Sequence, residues 1–214
     1  MQIYKIYLNE RTLVLADLEF AQSPTAKEFD LIHSYSGQKK SLFQYLDLME
    51  KSGKIQQILL WYSEPEKIMK DLKEICIKIK AAGGIIEDLE QSKILIMKRR
   101  GFYDLPKGKL DDNEKYKQAA IRECQEETGL QQLTLKEGLL TTYHIYRDRD
   151  HKRCLKKTKW FHLIGSAQET LIPQTTEDIT ELFWTYPEDV SALKPIYKSV
   201  LECFEQFSRL KLNS

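Results

Sequence analysis

Between Gly108 and Gly129 the chain reads GKLDDNEKYKQAAIRECQEETG and gathers Glu114, Arg122, Glu123, Glu126 and Glu127 in one segment. At about 100° per residue, a helix through it places Glu123, Glu126 and Glu127 within roughly a 100° arc, with Ala120, Ile121 and Cys124 on the adjoining arc. The helix must therefore bury one side against a core and leave the next side acidic. Like charges three or four residues apart cost about a few tenths of a kcal/mol each. Carboxylates near a helix C-terminus also oppose the macrodipole. Local stability alone does not select this arrangement. A divalent cation turns the repulsion into coordination, and a set of carboxylate donors without histidine points to Mg²⁺ or Mn²⁺ rather than Zn²⁺.

The spacing carries a family resemblance. Gly108, Glu114, Arg122, Glu123, Glu126, Glu127 and Gly129, with Leu130 after them, match the Nudix box of the Nudix hydrolases at every fixed position. At typical residue usage such a match arises by chance on the order of once in 10⁸ windows, so composition does not account for it. Cys124 stands where the family usually has an aliphatic residue, and a free cysteine packs as a small hydrophobe. The resemblance implies that Gly108, through its carbonyl, and Glu123, Glu126 and Glu127 hold the metal, Mg²⁺ or Mn²⁺. It implies Glu126 as the preferred general base and Glu177, in TTEDITELFW, as an alternative acid. Arg122 joins this catalytic set as a brace that keeps loop and helix in register with Glu114.

Family members hydrolyse a phosphoanhydride in nucleoside-diphosphate-linked or related polyphosphorylated compounds. The stretch KRRGFYDLPKGKL resembles the entry of a subgroup acting on dinucleoside polyphosphates and other highly phosphorylated compounds, with Tyr103 where a Trp is usual and Lys107 adding charge beside the metal loop. Arg99, Lys107, Tyr143, Lys157 and Lys159 are the candidate substrate contacts. The last two belong to a basic stretch from Arg147 to Lys159 at the end of a predicted hairpin, where a phosphate collector competes with an ordinary solvated turn. Tyr143 and Trp160 are placed near a base or sugar. His151 and Cys154 have a metal-like spacing without a second pair, which does not make a zinc site.

Composition bounds the rest. With 33 Lys and Arg against 32 Asp and Glu, the net charge of +1 supplies no global attraction to nucleic acid or anionic membrane. No apolar run approaches the length of a membrane span, and the four cysteines are scattered without a CxxC pair, so a cytoplasmic protein is expected. The partner is a small phosphorylated substrate.

Along the chain, alternation predicts a hairpin of Ile3–Leu8 with Thr12–Leu15 and a short strand Phe29–Ile32. A helix Ser41–Lys51, a strand Gln57–Tyr62 and an amphipathic helix Pro65–Lys80 follow. Gly83 and Gly84 mark a boundary. Beyond it come strands Ile85–Leu89 and Lys93–Lys98, the box helix Lys115–Thr128, and long strands Leu133–Tyr146 and Leu155–Gly165. A strand Leu182–Tyr186 and a helix from Pro195 to Arg209 end the pattern. The fold class is α/β (α+β): a Nudix-type mixed sheet between helices over residues 83–214, preceded by a smaller α/β domain over residues 1–82. For that first region support, substrate selection and homodimer formation are the roles weighed. Two other readings of the whole chain stand beside the hydrolase. One is a Nudix-fold ligand sensor that has stopped hydrolysing, against which the intact acids argue. The other is an RNA 5′-end pyrophosphohydrolase, against which the neutral charge and missing aromatic-basic RNA signature argue.

Overall fold

A computed structural model of the chain describes residues 2–212. The strands and helices run in the order Tyr4–Leu8 (β1), Arg11–Ala16 (β2), Leu18–Ala21 (α1), Leu31–Ser34 (β3), Lys39–Lys51 (α2), Gln57–Trp61 (β4), Pro65–Ile75 (α3) and Ile77–Asp88 (β5). Then follow Lys93–Arg99 (β6), Phe102–Asp104 (β7), Lys107–Lys109 (β8), Tyr116–Thr128 (α4), Thr134–Arg147 (β9), Arg153–Ile164 (β10), Ile179–Thr185 (β11) and Lys198–Leu212 (α5). The mixed α/β class expected from the sequence is present.

Helix α3 is shorter than predicted, and it is the principal correction. Pro65 starts it as expected, but Cys76 closes it and Ile77 opens β5. The run Ile75, Ile77, Ile79 permits it. Its β-branched side chains stand every second residue, a strand period, and such side chains are stiff in a helix. Gly83 and Gly84 consequently lie inside β5. Smaller shifts move the third strand to Leu31–Ser34, turn part of the predicted loop before the box into β7 and β8, and start α5 at Lys198 rather than Pro195.

The chain divides into two compact units, Met1–Ile79 with Tyr143–Lys157, and Lys80–Thr142 with Thr158–Ser214. In the first, strand order is β9-β1-β2-β4-β3. β1 and β2 are antiparallel, whereas β2 and β3 each run parallel to β4, and β1 pairs parallel with β9 at Ile6 and Tyr143. Alternate residues separate two cores. Leu13, Leu15, Ile58 and Leu60 meet Leu42, Leu46 and Met49 of α2 and Ile68 and Leu72 of α3, while Val14, Ala16 and Leu59 meet Ala26 and Phe20. Ile145 and Leu155, from the tips of β9 and β10, complete the first of these cores.

A buried acid lies in this unit. Asp71 is 2% exposed. Tyr35 donates to its Oδ2 at 2.7 Å, and Lys67 pairs with the same oxygen. Burial pulls the Asp71 carboxyl up, but the hydrogen bonds from Lys67 and Tyr35 outweigh it and leave the pKa below its ordinary value. A depressed folded-state pKa gives stability that is complete above the unfolded value of about 3.9 and is lost as pH falls through the folded value. Asp71→Asn is therefore expected to flatten part of the acid limb of stability. Its melting temperature should fall less than the wild type's between about pH 5 and pH 2.5. Parallel falls in the two proteins would show that Asp71 contributes nothing to that limb.

In the second unit the order is β11-β6-β5-β10-β9, with β7 on β6 and β8 on β5. Its central strands are buried on both faces, as a continuous apolar run requires. Ile85, Ile94 and Ile96 face Val200, Phe204 and Phe207 of α5, whereas Ala82, Ile86 and Leu95 face Ala119, Ala120 and Cys124 of α4. The sheet thus lies between these two helices. Trp160 is core, its Nε1 donating to Thr142 Oγ1 at 2.8 Å, and so does not face a ligand.

Candidate active site

The site is built where α4 crosses β8. β8 is held to β5 in antiparallel register, Ala82 opposite Gly108 and Gly83 opposite Lys107. This approach requires glycine at 83, because a Cβ there would lie 2.3 Å from the Pro106 carbonyl oxygen. Gly84 N–H donates to that oxygen at 3.1 Å and the Cys124 thiol reaches it at 3.8 Å. The unusual cysteine of the box therefore both fills the core and ties α4 to the loop.

Helix α4 ends as its sequence dictates. Gly129 adopts φ 80° and returns its N–H to Gln125 O at 2.8 Å, a left-handed stop that glycine makes without steric cost. Its acidic edge then falls on β8. The Glu123 carboxylate lies so close to Gly108 that a Cβ added there would stand 1.8 Å from Oε2. Glu127 is 1% exposed and accepts the Lys107 N–H through Oε2 at 2.7 Å. Burial pushes its carboxyl up to about 7, with Lys107 and Arg99 pulling the other way. Glu126, by contrast, keeps 46% of its side chain exposed.

Arginines compensate these acids. Arg122 donates to both Glu114 oxygens at 2.9 and 2.8 Å, to Glu123 at 2.8 Å, to Glu126 at 3.0 Å and to the Lys109 carbonyl at 2.9 Å. It is the brace between loop and helix that the sequence suggested. Arg99, at the end of β6, lies 3.4 Å from Glu127 Oε1 and pairs with Glu177, so the structure brings Arg99, Glu127 and Glu177 together.

Among the described residues no three His, Cys, Asp or Glu side chains converge as a ready metal cage. The donor set still fits a hard divalent cation. It is all oxygen, it includes a desolvated carboxylate at Glu127, and Gly108 brings the loop backbone against Glu123 with no side chain between.

A family model described as NUDIX domain matches residues 78–207. The chain belongs to the Nudix family. Its members are pyrophosphohydrolases that act on small phosphorylated substrates and generally use divalent metal ions, and the chain is a hydrolase of this class. A curated 8-oxo-dGTP diphosphatase of Proteus vulgaris is 39% identical over 80 residues, spanning 34% of this chain and 68% of that protein. Among solved structures, a C. elegans Ap4A hydrolase binary complex matches with TM-score 0.50 at 23% identity, covering 64% of this chain and 99% of its own. A Nudix hydrolase from Nitrosomonas europaea matches with TM-score 0.50 at 18% identity, covering 64% and 74%. These likenesses show the Nudix fold.

The other residues singled out in this Nudix sequence lie in several places. The Lys107 ammonium turns to the buried carboxylate of Asp104, a pairing sequence reasoning missed although both lie in YDLPKGK. Lys159 lies 4.5 Å over the ring of Tyr116 at the start of α4. Tyr143 and Lys157 belong to the first unit. There Tyr143 packs edge-on to Tyr4. In the same unit Arg147 and Arg153 of the basic hairpin engage Asp47 and Glu50 of α2, including Arg153 Nε to Glu50 Oε1 at 2.8 Å. These two arginines anchor the hairpin to α2. No helix among the described residues is long and apolar enough to cross a membrane.

Proposed function

We propose that this chain is a Mg²⁺-dependent pyrophosphohydrolase, active also with Mn²⁺, that cleaves a phosphoanhydride bond in a polyphosphorylated nucleotide. The observation that carries the reading is the buried Glu127 carboxylate, held by the Lys107 N–H beside the Gly108–Glu123 contact. Glu123, Glu126, Glu127 and the Gly108 carbonyl are the residues that would hold the metal. When bound, the ion neutralises phosphate oxygens and lowers the pKa of a water. Arg122 keeps Glu123 and Glu126 on the edge facing β8. Glu126, being the exposed acid, can take a proton from a water at the site, and Glu177 is the second candidate for that role. The cysteines, buried and not joined in disulfides, support a cytoplasmic, reducing location.

Two substrate classes are favoured by different observations. The DLPKGKL entry favours dinucleoside polyphosphates, but Asp104 holds the Lys107 ammonium that would add phosphate affinity. The relative named 8-oxo-dGTP diphosphatase favours a nucleoside triphosphate. The deciding experiment is a panel of dinucleoside polyphosphates, canonical and oxidised nucleoside triphosphates, nucleotide sugars, ADP-ribose and 5′-triphosphorylated RNA, assayed with Mg²⁺, Mn²⁺, Ca²⁺ or chelator. We expect release from one of the first two classes that stops in chelator and returns poorly with Ca²⁺, whose coordination is looser. Undiminished turnover in chelator, or cleavage confined to RNA, overturns the proposal.

A further inference from the structure

Arg99 sits between two acids that the family's metal chemistry makes important, and its two contacts are unequal. Its Nη2 pairs directly with Glu177, whereas its Nη1 stands 3.4 Å from Glu127 Oε1. Charge-assisted hydrogen bonds of this type usually lie at about 2.7–2.9 Å, so the contact to Glu127 is weak. Oε2 of Glu127 is taken by the Lys107 N–H at 2.7 Å. Oε1 is therefore the oxygen available to a cation, and Arg99 faces it.

The link to Glu177 is supported independently of Glu127. Arg100 Nε pairs with Asp178 Oδ2 at 2.8 Å, Arg100 N–H donates to Asp178 O at 3.3 Å, and Ile179 is the register partner of Arg99 across β6 and β11. A guanidinium does not lose its proton. It can surrender Glu127 only by moving, and Glu177 offers it a place to stay.

We propose that Arg99 is a positioning residue, the resident counter-cation of the metal site. It occupies Glu127 until a divalent ion takes that carboxylate, and it then remains with Glu177. This deepens the reading of Glu127 as a metal ligand and rests on it. Glu177 thereby favours metal entry through Arg99, by drawing the guanidinium away from Glu127.

The test is Mn²⁺ binding to the full chain without substrate, read from the electron paramagnetic resonance of the free ion, with circular dichroism as the check on folding. Removing the competing cation in Arg99→Gln should tighten Mn²⁺ binding by about five- to tenfold, whereas Arg99→Lys, which keeps the charge, should stay within about twofold of wild type. Glu177→Gln should loosen binding, because Arg99 then turns wholly to Glu127. The double variant Arg99→Gln/Glu177→Gln should bind as Arg99→Gln does, since Glu177 has no arginine left to act through. Unchanged or weaker binding in Arg99→Gln overturns the proposal. So does a double variant weaker than Arg99→Gln, which would make Glu177 a direct ligand. If Arg99→Gln does not fold, Glu177→Gln at its exposed position decides alone, and unchanged or tighter binding there overturns the proposal. Wild-type protein that binds no Mn²⁺ would overturn the metal site itself, a result distinct from wild-type binding that Arg99→Gln leaves unaltered.

Discussion

Glu127→Gln is expected to lower turnover by at least about a hundredfold, the scale on which removing one preorganised charge from a reaction centre is felt. The substitution keeps the shape of the side chain and an oxygen to accept the Lys107 N–H, now at 2.7 Å. What disappears is the negative charge available to a cation. Because that charge is buried and costly to desolvate, the metal-free variant should melt no lower than the wild type. Initial rates with saturating Mg²⁺, alongside circular dichroism and melting without metal, separate loss of chemistry from loss of fold. A folded variant with near wild-type rate would remove Glu127 from the reaction. Glu126→Gln should also lose most turnover, again with the fold retained, since its exposed side chain carries little packing.

A fragment of residues 84–214 is expected not to fold, although it contains the whole box. The residues that pair with β8, Ala81, Ala82 and Gly83, are missing from it, so Lys107 to Lys109 lose the strand that sets their register. It also keeps residues 143–157 while discarding their own core. Ile145 and Leu155 are each 3% exposed, packed with side chains from the first 79 residues. Exposing each costs about 1.5–3 kcal/mol, against a typical net stability of about 5–15 kcal/mol for a whole domain. The expected result is an insoluble or molten product without a cooperative thermal transition. A monomeric fragment with a sharp melt and Mn²⁺ binding would show that residues 1–83 are dispensable for the catalytic unit. A role for the N-terminal region in substrate selection or self-association is then better tested by point substitutions in the full chain.

The local geometry of the candidate site was legible along the chain. Gly108, Glu114, Arg122, Glu123, Glu126, Glu127 and Gly129 are bound to one another by helical and loop spacing, so one stretch of sequence specifies their arc, the brace of Arg122 and the left-handed stop at Gly129. The first hairpin, α2, β4 and the start of α3 were equally clear, since apolar period reports directly which side of a segment is buried. The end of α3 was not. Ile75 and Ile79 fit a helical stripe with Ile68 and Leu72, but Ile75, Ile77 and Ile79 also fit a two-residue strand period, and only pairing partners decide between the two.

Partnership across long sequence separation is what the tertiary structure alone decided. Glycines at 83 and 84 read as a boundary in sequence but lie within β5, where pairing with β8 and the approach of β10 leave no room for a Cβ. The basic hairpin residues Arg147 and Arg153 resemble a phosphate site until Glu50, about a hundred positions away in the chain, accepts their hydrogen bonds. Arg99 likewise joins Glu127 to Glu177 across β6, α4 and the turn before β11. Periodicity and spacing determine what a segment can offer, a buried stripe or an acidic edge. A charged side chain commits to whichever opposite charge the fold brings within reach, because burying it unpaired costs more than the local sequence can return.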